Sequence, residues 1–256
     1  MINFSPLRTK RLSIRLKELS IGDAIRLVAI PEHMNESAMT EFIAKVIDSA
    51  EPQGNFHVKN PLKMTVQERS LIVAHYIAHV NEAGDPDFQL GGGRYSDFLI
   101  GVDVPEFPIE VGEVGEDIWS ISPLFGGAAE AIEQLHGEIP NMSGRYHWLT
   151  GCIAAQLTLK TETPPDHADA FSDYVQWLKN KMTVLSNYPE SQFVELLGLF
   201  LAGNKKIEHL FQTEVDDFGI VVLPKSQEAG ASKLSPVRFP VCSCISDIAK
   251  RLAGKP

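Results

Sequence analysis

The sequence predicts an α+β protein, mainly helical, in which an N-terminal strand and one central β-hairpin pack with about seven or eight helices. Three observations carry this reading. Apolar residues recur at three- and four-residue spacing between capping residues over most of the chain. One early stretch, RLSIRLKEL, alternates instead. One central stretch, FPIEVGEVGEDIWSI, alternates on both sides of a glycine turn.

In residues 11–19, Leu12, Ile14 and Leu16 share one face, and Arg11, Ser13, Arg15 and Lys17 share the other, as in a half-buried strand. Ser20 caps a helix that Pro31 ends. Asn35 or Ser37 opens a second helix, with Met39, Phe42, Ile43, Val46 and Ile47 on one side. Residues 51–61 read as a loop. Thr65 and Glu68 form a capping box at the head of a helix that runs to about residue 80 and carries Leu71, Ile72, Ala74, Tyr76 and Ile77. Pro86 and the glycines at 91–93 bar its continuation.

The hairpin spans residues 107–121, turning at Gly115-Glu116 and bringing Ile109, Val111, Ile118 and Ile121 together. Ser122-Pro123 starts a helix with proline where its missing N–H costs nothing, and Gly137 stops it. A helix follows at 144–159, and then three helical pieces at 167–185, 190–202 and 204–212, broken at Asn187-Tyr188-Pro189 and at Gly203-Asn204. Residues 218–223, FGIVVL, read as strand or core-facing coil, 224–240 as an extended segment, and 245–253 as a short helix. The expected division is an α+β domain at 1–160, a helical domain at 161–223 and an extended C-terminal segment at 224–256.

Composition narrows the function classes. At 44 % hydrophobic and 22 % charged, the chain can build a core. It has no apolar run long enough for a membrane helix, and its basic start lacks the apolar region of a secretory signal. Three cysteines are too few for a disulfide framework, so a reducing cytosol is the expected home. The net charge of −10 lies wholly in residues 61–165; residues 1–60 carry +1 and 166–256 carry −1. Such a field disfavours nucleic acid and anionic lipid and favours a partner with a basic surface, though solubility alone accounts for it equally well.

No complete catalytic motif is present. Glu68, His75 and His79 share one helical stripe, and two histidines four apart can grip one metal. Tyr76, however, stands where zinc hydrolases of this pattern place glutamate, and Glu68 lies about 10 Å along the axis from His75. Gly91-Gly92-Gly93-Arg94 could wrap an anion but lacks the Lys-Ser/Thr ending of a phosphate loop, and Asp85 and Asp87 oppose phosphate. Cys242 and Cys244 are the one close cysteine pair; with Cys152 they fall short of four metal ligands. Glu106, Glu110, Glu113, Glu116 and Asp117 crowd the hairpin and read as a solvated face. Tyr146, Trp148, Tyr174 and Trp177 have the spacing of helix packing rather than base stacking.

The order of MTVQER opening an apolar helix, GGGRYSDFL, VGEVGEDIWSISPL and GRYHWLTGCIAAQL, over residues 8–160, resembles the tail and baseplate-hub assembly proteins of contractile and Mu-like tailed bacteriophages. The resemblance implies a non-enzymatic structural or assembly role without a cofactor, exercised through hub, tube or tape-measure proteins in the host cytoplasm or the virion tail, with self-association open. It offers Glu68, Arg69, Arg94, Tyr95, Asp97, Glu113, Glu116, Tyr146 and Trp148 as interface candidates. The alternatives from the residues are a metal-dependent, hydrolase-like enzyme using His75 and His79, and a cytoplasmic adaptor.

Overall fold

The computed structural model describes residues 2–51, 58–81, 84–115, 117–225 and 234–254. Residues 52–57 of the expected loop, Glu116 at the expected hairpin turn and residues 226–233 of the expected extended segment lie outside the described residues. No helix among the described residues is long and apolar enough to cross a membrane.

The alternation at the N-terminus folds as expected, with β1 (Leu7–Arg8) antiparallel to β2 (Ser13–Leu16) and Leu12, Ile14 and Leu16 buried. Arg11, read on the polar face, is buried as well. Ser20 caps α1 (Ile21–Val28) by accepting the Asp23 N–H at 3.1 Å. Helix α2 (Asn35–Val46) gives way to β3 (Ile47–Ala50), which completes a three-stranded antiparallel sheet on β2. Ile47, expected in the helix, lies in this strand. Helix α3 (Val66–Val80) carries the capping box: Thr65 Oγ1 accepts the Glu68 N–H at 3.1 Å and Glu68 Oε2 accepts the Thr65 N–H at 2.8 Å. The glycine run closes a small hairpin, β4 (Gln89–Leu90) and β5 (Gly93–Arg94). Its two turn residues, Gly91 and Gly92, have φ of +56° and +85°, which side chains rarely adopt.

The central hairpin forms from β6 (Ile109–Val114) and β7 (Asp117–Ile121), with Ile109 opposite Ile121. Helix α4 (Gly126–Gln134) begins later than Pro123, because residues 124–126 run beside the start of α3: Val66 N–H donates to Leu124 O at 2.9 Å and Gly126 N–H to Met64 O at 2.8 Å. Helix α5 (Gly144–Gln156) stops short of residue 159, and Leu157–Leu159 form β8 on the free side of β7. Helix α6 spans Phe171–Ser186.

Helix α7 (Glu190–Ile207) runs through Gly203-Asn204 without a break. Gly203 serves close packing instead: a Cβ there would meet Val111 at 2.8 Å and Ile121 at 2.9 Å. The expected helix at 204–212 is replaced beyond Ile207 by a hairpin, β9 (Gln212–Asp216) and β10 (Gly219–Leu223), so FGIVVL is strand. Asp216 Oδ1 accepts the Phe218 N–H at 2.8 Å inside this turn. The chain closes in α8 (Asp247–Leu252). The class is α+β and mainly helical, with eight α-helices and four small antiparallel sheets among the described residues.

Apolar side chains collect in two cores. One joins Leu12, Ile14, Phe42 and Ile72 to Phe211 and Phe239 from the far end of the chain. The other gathers Ile121, Ile132, Ile153, Leu178 and Leu196 from its middle. The first turn of α3 lies between them and is tied by buried polar groups. Arg11 reaches Glu68 Oε2 at 3.1 Å and Lys63 O at 2.8 Å, and its guanidinium lies 5.5 Å from the ring centres of both Phe107 and Phe125. Arg69 donates to Glu36 O at 2.6 Å and Thr40 Oγ1 at 3.1 Å; its other amino group sits 3.2 Å from Glu36 Oε2, an ion pair rather than an aligned hydrogen bond. Helix α2 has no cap of its own, and Glu133 of α4 supplies one by accepting the N–H groups of Glu36 and Ser37 at 2.8 and 3.0 Å. His209 shares a 2.8 Å bond with the Thr65 hydroxyl, and its Nδ1 lies 2.8 Å from Ile207 O. A carbonyl only accepts, so Nδ1 carries the proton and Nε2 accepts from Thr65.

Replacing Arg11 by methionine leaves the Glu68 carboxylate buried without its partner and is expected to cost about 3–5 kcal/mol in denaturant unfolding. Adding Glu68→Gln, which keeps the cap acceptor and removes the charge, should recover part of that loss. Burial pushes the His209 imidazole down to about 4. The unfolded ring, titrating near ~6.5, therefore binds more protons than the native one between these values. This contribution is full above about pH 6.5 and is lost as pH falls toward 4. His209→Gln should flatten the fall in stability across that window.

Candidate functional site

A groove of about 440 Å³ opens between α5, α7 and the β9–β10 hairpin, with the first turn of α3 beneath it. Helix α5 contributes Leu149, Cys152 and Gln156, spaced three and four apart on one face. Helix α7 contributes Leu197, Leu201 and Asn204 by the same spacing rule. The hairpin adds Thr213, Val215 and Ile220.

The walls are apolar and the floor holds carboxamides. Gln156 Nε2 donates to Ser122 O at 3.1 Å and to Asn204 Oδ1 at 3.0 Å. Gln67 is 7 % exposed; its Nε2 donates to Thr213 Oγ1 at 3.3 Å, and its Oε1 has no hydrogen-bond partner among the described residues. Cys152 forms part of the wall, its thiol pushed up to about 12 by burial and so held as neutral S–H. At the rim, Arg145 pairs with Glu214. Leu201 is 53 % and Val194 58 % exposed on α7, and Tyr146 on α5 meets Phe193 edge-on at 6.5 Å between ring centres. Of these, Leu201 lines the groove itself, while Val194 lies on α7 one turn before the lining residue Leu197 and Tyr146 on α5 next to the lining residue Arg145.

The interface candidates separate on the structure. Tyr146 stands exposed on α5 beside the groove residue Arg145, while Trp148 two residues on is core, packed against Gly219. Glu68 and Arg69 are buried in the joint at the head of α3, where they hold elements of this chain to one another and present nothing to a partner. Arg94 is exposed and satisfied locally: its guanidinium reaches Asp85 Oδ2 at 2.9 Å and Asp87 O at 3.0 Å, and its N–H donates to Asp97 Oδ2 at 2.7 Å. Tyr95 stacks on Phe88 with ring centres 5.4 Å apart, and burial beside Asp87 raises its phenol to about 12. Glu113 is exposed on β6, and Glu116 lies outside the described residues.

The two histidines form a structural clasp. His75 Nε2 bonds Ser5 O at 2.8 Å, His79 Nδ1 bonds His75 O at 2.8 Å, and His79 Nε2 faces the Ser5 N–H at 3.2 Å and hydroxyl at 3.1 Å. A metal on His79 Nε2 would have to displace both Ser5 contacts. Burial lowers the His75 pKa, which keeps the ring neutral. Cys242 is exposed and Cys244 buried, and no three His, Cys, Asp or Glu side chains come together as a metal site among the described residues.

Gln67, Gln156, Asn204 and Leu201 were not among the residues the sequence singled out. The Leu197–Leu201–Asn204 stripe was there to be seen, but a break assumed at Gly203-Asn204 cut it in two. The chain matches no protein-family model, and no curated protein or solved structure matches it significantly.

Zinc added at one equivalent to protein made without an affinity tag should leave its unfolding temperature unchanged. A rise of several degrees that His75→Ala abolishes would establish the metal reading instead.

Proposed function

We propose that this chain is a non-enzymatic structural or assembly protein of a bacteriophage tail or baseplate, and that the groove between α5 and α7 receives a hub, tube or tape-measure partner during assembly in the host cytoplasm. The sequence resemblance supplies the partner class. The observation that supports docking is the groove itself, in which Leu149, Leu197 and the half-exposed Leu201 stand around a floor of carboxamides. Carboxamides hydrogen-bond but neither transfer protons near neutral pH nor act as nucleophiles, so this floor suits recognition better than turnover.

Charge favours the same class of partner. Glu106, Glu110 and Glu113 are exposed on and just before β6, the strand against which α7 packs. A partner carrying an apolar anchor and basic flanking residues would meet the groove and this acidic flank together. Nucleic acid and anionic membranes would be repelled by the same field.

Size-exclusion chromatography with purified tube, hub and tape-measure proteins from the neighbouring reading frames is the test. One of the three should co-elute with the chain. Leu201→Asp should weaken that complex by about tenfold or more while leaving the unfolding temperature nearly unchanged, since Leu201 is half exposed. A chain that stays monomeric and binds none of the three would sink the proposal.

A further inference from the structure

Strand β9 lies along the groove as an edge strand. Among the described residues its sheet has two strands, β10 and β9, and the other side of β10 is occupied where Val222 exchanges backbone hydrogen bonds with Val237 at 2.8 and 2.9 Å. Asp216 opposite Gly219 closes a two-residue turn, so Asp216, Glu214 and Gln212 direct their backbone N–H and C=O groups at β10. Alternation then leaves the backbone groups of Thr213 and Val215 on the outer edge, and both residues line the groove. An unpaired edge of this kind is a template for another strand unless something covers it.

A second observation points to the same occupant. Gln67, nine-tenths buried beneath the hairpin, holds an amide oxygen with no donor and places its amino group on Thr213. A buried acceptor left unmatched is unfavourable, and an arriving N–H satisfies it once the amide turns toward the groove that Gln67 lines. A helical occupant keeps nearly all its N–H groups for itself, whereas an extended one brings a free N–H at every second residue. The walls fit alternation as well: Leu149, Leu197 and Leu201 accept apolar side chains from one face of a strand, while Arg145, Lys205 and Glu208 at the rim stay with the wetted face.

We infer that the groove takes an extended segment of a protein partner, which pairs with the outer edge of β9 and lays alternate apolar side chains against α5 and α7. The inference rests on the proposed docking function and adds the conformation and hydrogen-bond chemistry of what docks. It makes Thr213 and Val215 backbone-recognition positions, Gln67 the floor acceptor, and Leu201 the residue that selects for apolar side chains.

The test uses a displayed random dodecapeptide library panned on the full chain, with Leu201→Asp as the counter-selection. Enriched peptides should alternate apolar and polar residues and should shift the Thr213 and Val215 amide signals in nitrogen–proton spectra. N-methylation of the selected peptide at one alternate set of residues should weaken binding about tenfold for each hydrogen bond removed, while methylation of the other set should have little effect. Gln67→Met should lower affinity without lowering the unfolding temperature. Enriched peptides with helical periodicity, affinity indifferent to N-methylation, or no enrichment over the Leu201→Asp counter-selection would each overturn the inference. A tail protein that co-elutes with the chain while only helical peptides are selected would leave the docking function standing and remove the extended occupant. Failure of all tail proteins to bind, with alternating peptides still pairing on β9, would do the reverse.

Discussion

The first turn of α3 is where the fold is joined. Thr65 and Glu68 cap their own helix and in doing so set two side chains for long-range use: the Glu68 carboxylate holds Arg11 from the N-terminal sheet, and the Thr65 hydroxyl holds His209 from the segment after α7. Arg69, next in sequence, reaches Glu36 and Thr40 on α2. A local cap, a buried ion pair and a contact between distant segments therefore meet at one place. A buried charge that loses its partner is costly, so each element tied here is held in a single position relative to the others. The aromatic rings of Phe107 and Phe125, in edge contact with each other and both 5.5 Å from the Arg11 guanidinium, help to keep water from it and strengthen this requirement.

This joint also sets the groove. Gln67 is carried by the same turn, so the floor beneath β9 is positioned by the capping box rather than by the groove walls. His209 fixes the chain just before β9, and Gly203 lets α7 lie close on β6 and β7. The result is a depression whose sides are rigid helices and whose remaining side is a hairpin edge. Recognition surfaces on rigid elements lose little conformational entropy when they are filled, which suits a docking role.

How much of this could be read in the sequence depended on the range of the interactions. The capping box at Thr65 and Glu68 and the hydroxyl cap at Ser20 are legible because both partners lie within one turn. The hairpin at 109–121 was legible because alternation and a glycine turn are contiguous. Strands β3 and β8 and the start of β9 read as the ends of helices, because β3 and β8 follow a helix directly, β9 starts within five residues of one, and each is extended only because a strand distant in sequence, or a hairpin partner, accepts its backbone. Gly203-Asn204 reads as a helix break in the sequence, but the intrinsic cost of glycine in a helix, about 1 kcal/mol relative to alanine, is small against the packing Gly203 permits on Val111 and Ile121. For the candidate site, the sequence points to Tyr146, which is exposed but does not line the groove, and to Glu68 and Arg69, which the structure spends internally.

The sequence by itself determined the class of the fold, the ends of several helices, the central hairpin and the lack of any complete catalytic motif, since propensity, capping and alternation act between near neighbours. Tertiary structure decided that Arg11, Glu68, Arg69 and His209 are buried, that both ends of the chain share one core, and that Gln67, Leu201 and the edge of β9 face one another. Burial and juxtaposition depend on which remote segment arrives opposite a side chain, and a sequence window that spans one turn or one hairpin does not contain that partner.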